Sequence, residues 1–380
     1  MTKFSKLFLL VALLLGGWSF SSCEEPDGIE PTPIIKGLFV YPSSSFIIAD
    51  GEDETVLTVK FDGVDVTDSA FIYVNKKRMK GNRFTTEVPG NYDFFASYKG
   101  KVSPVVTVNA ANPALYVALP EDSQADKFSD FQHKVLLTEA TGTWCGYCPY
   151  MIAALELFGE KGSNRDKVVT VATHSGDEFS NAASEAAIKA IVLNMSPSEQ
   201  KDFGLPSCFV NLNPITLVGT RLSANVDAEN LNTMVGMELK EDAYVGIAVA
   251  TAVSVDSSVV GVRAAVKIGK DGRYRINAWL IEDGVAAYQS GAEKVIDHMH
   301  ILRGASCASP IQGELLGEAC AYGDVIEYYY EFDVTKANVA NVANCKVAVL
   351  VTTASGDSSD FYVNNVVECH VGESVPFAYN

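Results

Sequence analysis

Two cysteines three positions apart, in Trp144-Cys145-Gly146-Tyr147-Cys148-Pro149, constrain this chain more than any other stretch. A strand-like apolar run, Val135-Leu136-Leu137-Thr138-Glu139, precedes them. Met151, Ile152, Ala154, Leu155, Leu157 and Phe158 follow at helical spacing. The pattern predicts Cys145 at a helix N-terminus, where free N–H groups and the helix dipole favour a thiolate. Cys148 falls one turn inside, within reach of a mixed disulfide formed on Cys145. Pro149 in the first turn costs little, because its missing N–H has no helical partner. Zinc knuckles also use C-x-x-C, but as one of two ligand pairs. The chain has no second C-x-x-C, so a redox pair is expected here and no metal.

A second signal lies downstream, in Phe203-Gly204-Leu205-Pro206-Ser207. W-C-G-x-C-P followed by G-[apolar]-P-[Ser/Thr] resembles the thioredoxin superfamily. The resemblance implies a cis Pro206, with Leu205 before it, packed against the Cys145–Cys148 disulfide. It also implies a role for Glu139, six positions before Cys145, as the buried acid that exchanges a proton with the second cysteine. A buried carboxylate has a raised pKa, which suits a base working near neutrality. The alternative is a solvated strand-end glutamate. His174, ending the next predicted strand, is either a cation near the Cys145 thiolate or a loop histidine without a role. Cys208, two residues past Pro206, is either a third thiol near the site or a small buried apolar residue. Tyr147 offers the thiolate no positive charge, which argues against a very strong oxidant.

At its start the chain reads as a signal peptide over residues 1–22, with Lys3 and Lys6 before the apolar Leu7–Leu15. Phe20-Ser21-Ser22 before Cys23 resembles a bacterial lipoprotein cleavage site, with Cys23 as the lipidated residue; the alternative is a plain secretory signal. The acidic Glu24-Glu25-Pro26-Asp27 resembles a surface-export signal of Bacteroides-type lipoproteins. Cleavage would remove two lysines and no acid from a chain whose formal charge is already −18. Such an acidic protein excludes nucleic acid as a partner and has no polybasic patch for anionic lipid. Eight cysteines fit an oxidising compartment outside the cytoplasm.

The 380 residues suggest two to three domains. The expected fold is multidomain α+β. Residues 34–110 alternate apolar and polar in short runs, Leu38–Val40, Phe46–Ile48, Val56–Val59, Phe71–Val74, Tyr92–Ala96 and Val105–Val108, as an all-β sandwich does. Gly90-Asn91-Tyr92-Asp93-Phe94 resembles the tyrosine corner of Ig-like domains. Residues 111–130 read as a linker. Residues 131–241 give β-α-β-α-β-β-α, the order that a thioredoxin fold requires. Residues 242–380 return to strand patterning and read as a second β-sandwich. Within them, Asp297-His298-Met299-His300-Ile301-Leu302-Arg303-Gly304 resembles the H-x-H-x-L-R segment of thioredoxin-like outer-membrane lipoproteins of Bacteroidetes, the 28-kDa outer membrane protein family. That resemblance runs from the motif strand to the C-terminus. If 298–303 is one strand, both histidines face one side, as a metal pair would, but only Asp297 stands near as a carboxylate and no metal is expected.

Two further disulfides are expected. Cys345 and Cys369 flank a hairpin centred on Asp357, which would set them opposite each other; Cys307 and Cys320 would then pair across a Gly-containing loop. The leading function is thiol–disulfide exchange on exported proteins by a lipid-anchored protein of the cell envelope. Cys145 attacks, Cys148 resolves, Glu139 shuttles the proton and Pro206 shapes the groove, with Trp144, Gly146 and Tyr147 completing the loop. No bound cofactor is needed, because the dithiol is the redox centre. The rival is non-enzymatic: a surface binding or adhesion module whose motif is a plain structural disulfide.

Overall fold

The computed structural model describes residues 36–218, 223–307, 309–317, 319–354 and 361–380. The expected signal peptide, residues 1–22, and the expected lipidation at Cys23 lie outside them. Among the described residues no helix is long and apolar enough to cross a membrane. The structure is rich in strands, with few helices and several sheets.

The N-terminal runs form strands Leu38–Pro42, Phe46–Ile48, Thr55–Phe61, Phe71–Val74, Gly90–Tyr98 and Val106–Ala111. They divide between two sheets. Leu38, Val40, Leu57 and Val59 of one sheet meet Ile72, Phe94, Ala96 and Val108 of the other in a common core. Period-2 alternation builds this core, since every second side chain points inward. The Tyr92 hydroxyl donates to the Val88 carbonyl at 2.9 Å. The linker is tied to the C-terminal half: Phe46, Ala111 and Tyr329 pack together, and the Asn112 N–H donates to Glu331 Oε1 at 2.9 Å.

The motif unit follows the expected order: β1 (Val135–Thr141), α1 (Cys148–Lys161), β2 (Val168–His174), α2 (Ala182–Leu193), a short helix Pro197–Asp202, β3 (Ser207–Val210), β4 (Asn213–Val218) and α3 (Ala224–Glu238). Asn181 starts α2, its side chain accepting from the Ala183 and Ser184 N–H groups; Ser223 caps α3 through the Val226 N–H. β1 is buried on both faces along its whole length, as a strand between helical layers must be. Leu136 and Ala140 face α2, while Val135 and Leu137 face α1 and α3. By the same alternation Glu139 and Thr141 belong to the α1 face.

The C-terminal half does not stand apart as the sequence suggested. It adds β5 (Tyr274–Glu282), the hairpin strands β6 (Val285–Gln289) and β7 (Lys294–His298), and β8 (Ile301–Ala305), β9 (Cys345–Ala354) and β10 (Phe361–His370). One sheet runs β4-β3-β1-β2-β8-β5-β9-β10. The boundary expected at 241/242 therefore divides the sequence but not the sheet. The joint is β2 against β8, parallel, with Ala172 level with Ile301 and the Ala172 N–H donating to the His300 carbonyl at 2.7 Å. A second sheet, of Val245–Val253, Val259–Ile268, Val325–Asp333 and Ser374–Val375, packs on the far part of the first, and their inward valines and isoleucines make one core.

Residues 298–303 are not one strand. His298 ends β7, His300 sits in the turn at φ +60°, and β8 starts at Ile301. The two histidines consequently part: His298 is buried, while His300 lies by Asp283, whose carboxylate also meets Lys346. No cluster of three ligating residues occurs among the described residues. Arg303 of the same segment forms a buried pair with Glu282, Nε to Oε2 at 2.7 Å, and Glu282 accepts from the Ala340 and Asn341 N–H groups as well. Arg303→Met should cost roughly 3–5 kcal/mol, because it strands a fully buried carboxylate. Urea unfolding of Arg303→Met and of Arg303→Met/Glu282→Leu tests this; the double variant should recover most of the loss.

The two extra disulfides are absent. Cys208, Cys307, Cys320, Cys345 and Cys369 are free thiols. β9 and β10 do pair, but Val347 lies opposite Cys369, and a bulge between Val351 and Thr352 shifts the register. Cys345 is then two residues out of line with Cys369. Such diagonal neighbours sit about 7–8 Å apart, too far for a bridge. Cys307 donates to the Ser309 carbonyl at 3.2 Å, and Cys320 pairs through its backbone with Gly272. Burial pushes the Cys345 thiol up to about 12 and those of Cys307 and Cys369 up to about 11.

Candidate active site

Gly142 to Tyr147 form the loop between β1 and α1. Cys145 and Cys148 are bonded to each other, with Cα atoms 5.4 Å apart. α1 begins at Cys148, with Tyr147 as its cap residue, so Cys145 lies in the turn ahead of the helix and not on its first residue. The Cys148 N–H donates to the Cys145 carbonyl at 3.3 Å. Trp144 and Tyr147 are exposed and form an aromatic rim. The Trp144 indole N–H donates to the Ser175 carbonyl at 2.8 Å, fixing the ring over the end of β2.

The attacking role expected of Cys145 calls for access to solvent, yet Cys145 is 4% exposed and Cys148 is fully buried. The tip of the β6–β7 hairpin, which the sequence reading did not single out, packs on the motif loop. Gln289, fully buried, donates its amide to the Cys145 carbonyl at 3.0 Å and the Gly142 carbonyl at 3.3 Å. The Ser290 N–H donates to the Thr143 carbonyl at 2.8 Å. Gly291, at φ +81°, lies so close that a Cβ there would overlap the Gly146 carbonyl. The signal in the sequence is the Gln289-Ser290-Gly291 turn between two short polar–apolar alternating runs, but nothing in it names the loop that it meets.

His174 does not face the thiol pair as a free cation. Its Nδ1 lies 2.7 Å from Asp177 Oδ2, and its ring meets Phe179 and His298 edge-on, at centroid distances of 5.0 and 5.6 Å. The same Asp177 oxygen accepts from the Thr143 N–H at 2.8 Å. Burial alone would raise the Asp177 carboxyl. The His174 hydrogen bond and charge, with the Thr143 and Phe179 N–H groups, outweigh it and hold Asp177 below the usual range. His174 thus acts on the motif loop through Asp177, which sequence reasoning missed.

Glu139 is buried, and the solvated alternative falls away. Burial pushes its pKa up to about 8, offset only in part by the Thr141 hydroxyl. It stands in a row across the sheet, between Ala172 on β2 and Cys208 on β3. A cavity of about 310 Å³ lies between this face and α1, lined by Glu139, Thr141, Leu155, Phe158, His174 and His298 among others. Glu139 Oε1 and His298 Nε2 have no partner among the described residues. Burial and the nearby Glu139 push Cys208 far above the ordinary thiol range; it remains a protonated, apolar-like residue and not a third nucleophile. The Leu205–Pro206 peptide bond is cis, and Pro206 is buried. Ser207 pairs with Ala140, which sets Pro206 one step further, towards the motif loop.

Comparison with known proteins agrees with part of this picture. Residues 197–375, just under half of the chain, match the family described as Outer membrane protein Omp28; the segment includes Pro206 and Arg303 and starts beyond Cys148. The structure of HBP35 from Porphyromonas gingivalis is similar in fold, with a TM-score of 0.50 at 17% identity over 66% of this chain and 79% of that one. A domain of the outer membrane lipoprotein Omp28 from the same organism matches at 19% identity over 36% of this chain and 92% of that one, with a TM-score of 0.24. No curated protein matches the chain. The outer-membrane location expected from the lipoprotein-like start and the resemblance at residues 297–304 agrees with the Omp28 match over 197–375.

Proposed function

We propose that the protein is a lipid-anchored thiol–disulfide oxidoreductase of the outer membrane, acting on exported proteins through a thioredoxin-like unit. The observation that carries the reading is the pairing of Cys145 with Cys148 at the head of α1, with a buried carboxyl of raised pKa on the strand face beneath that helix. In this reading Cys145 is the attacking sulfur and Cys148 resolves. Glu139 holds the proton that Cys148 gives up or takes back, and Pro206 shapes the groove beside the disulfide. The dithiol is the redox centre, so the chemistry needs no bound cofactor. The N-terminal sandwich, Ig-like in its strand pattern and its Tyr92 corner, serves as a spacer from the membrane.

A second reading, a surface binding module with a structural disulfide, draws support from the low exposure of Cys145. A redox titration of the pair separates the two. A working oxidoreductase should titrate between about −120 and −270 mV, whereas a potential below about −300 mV would mark a structural bond and sink the enzymatic reading.

A further inference from the structure

Resting on the oxidoreductase reading, we infer that the hairpin tip Gln289–Gly291 is the specificity element of the thiol site. It admits thiols on small molecules or extended segments to Cys145 and excludes cysteines on folded surfaces. Three observations converge. The tip makes backbone and side-chain hydrogen bonds to Gly142, Thr143 and Cys145, three residues of the loop that carries the reactive sulfur. Gly291 touches the Gly146 carbonyl with no room for a side chain, so the hairpin tip seats directly on the loop between the two cysteines. The hairpin is also a two-stranded sheet of its own, with no hydrogen-bonded strand on either edge among the described residues. Isolated hairpins are marginal in water, so what holds this one down is its contact with the surface it covers. Tyr288 and Val295, paired across its two strands, are exposed.

The step it guards is a balanced exchange. With the pair oxidised, as in this structure, exchange runs in the reverse sense: a substrate thiolate attacks Cys145 Sγ, and the bond to Cys148 Sγ breaks with its electron pair leaving on Cys148, which takes a proton from the Glu139 carboxyl. A second substrate thiolate then displaces Cys145, and the substrate leaves as a disulfide while the pair is left reduced. Attack must come along the sulfur–sulfur axis to the sulfur of a residue that is 4% exposed. Access sets such rates as much as thiolate character does. A dithiol or an unfolded segment can thread past the tip; a cysteine fixed on a folded surface brings that surface into the hairpin.

The test compares reduction of the full-length oxidised protein by dithiothreitol, by an unstructured cysteine peptide and by a folded protein with one surface cysteine. Alkylation and mass spectrometry report the state of Cys145 and Cys148. The wild type should react with the folded protein at least ~100-fold more slowly than with the peptide, after correction for thiolate fraction. Gly291→Val, which forces the tip off Gly146, should narrow that gap by about tenfold or more while changing the dithiothreitol rate less than about threefold. Gln289→Met, near in size and without the amide donors, should act in the same direction and serves if Gly291→Val does not fold. An equal ratio in wild type and variants, with dithiothreitol still effective, overturns the hairpin proposal alone. A pair inert to every thiol in all the proteins overturns it together with the oxidoreductase reading.

Discussion

Cys148→Ser should accumulate mixed disulfides with exported proteins, and Cys145→Ser should accumulate none. The asymmetry follows from position. Cys145 lies in a turn between the exposed Trp144 and Gly146, ahead of the helix, whereas Cys148 is the first helical residue and fully buried. A substrate sulfur that reaches the pair meets Cys145 first. Release then depends on Cys148, held in place as an intramolecular nucleophile. Well-oriented groups of that kind act at effective concentrations of about 10⁵ M or more, so their loss should lengthen the life of the mixed disulfide by ~10³-fold or beyond. Non-reducing gels after acid trapping read the difference directly. The five other cysteines among the described residues are free, and the burial-raised pKa values of Cys208, Cys307, Cys320, Cys345 and Cys369 keep them protonated and poor attackers. They should not rescue the release. If neither variant captures a partner and the wild type does not catalyse insulin reduction, the binding-module reading takes over.

The local parts of this site were legible in the sequence because each is a short-range pattern. Strand, thiol pair and helix follow one another within about thirty residues, and the alternation that puts Glu139 on the α1 face is a property of β1 alone. What the sequence hid is pairing at long range. A fully buried strand reads as an unbroken apolar run whichever strand lies beside it. Nothing in Ile301–Ala305 says that it joins β2, or that the two halves share a sheet. The same blindness hid the hairpin contact with the motif loop, since Gln289 and Cys145 are 144 residues apart. The Cys345–Cys369 pairing failed on a smaller scale. Thr352 already pairs with Val363, one residue off the count, and the bulge after Val351 adds a second, which a count from the hairpin centre cannot see.

Glu139→Gln should slow thiol exchange by about 10²–10⁴-fold, the usual worth of a positioned acid or base, and should also change how stability depends on pH. In the folded protein the carboxyl titrates at about 8, against 4.5 for the free group. The folded state therefore binds this proton more tightly than the unfolded state, and stability must fall as pH rises between those two values. The contribution is whole below about pH 4.5 and gone above about pH 8. Its ceiling is about 5 kcal/mol, from a shift of that size in a fully buried group. Two buried histidines work the other way. Burial lowers His133 and His298, so their contribution is lost as pH falls. A single stability curve mixes these groups, and the informative quantity is the difference between wild type and variant. Urea unfolding of the oxidised proteins at about pH 5 and about pH 8.5 should give similar stabilities at the lower pH and a variant more stable by several kcal/mol at the higher. The histidines cancel in that difference, and the amide of the variant cannot titrate. The cavity beside Glu139, running out to Glu156 and Asp297, gives its proton a way to solvent, so loss of activity and loss of the pH slope should appear together. Parallel curves for the two proteins would mean that Glu139 is already ionised in the fold, and the proton for Cys148 would then have to come from elsewhere.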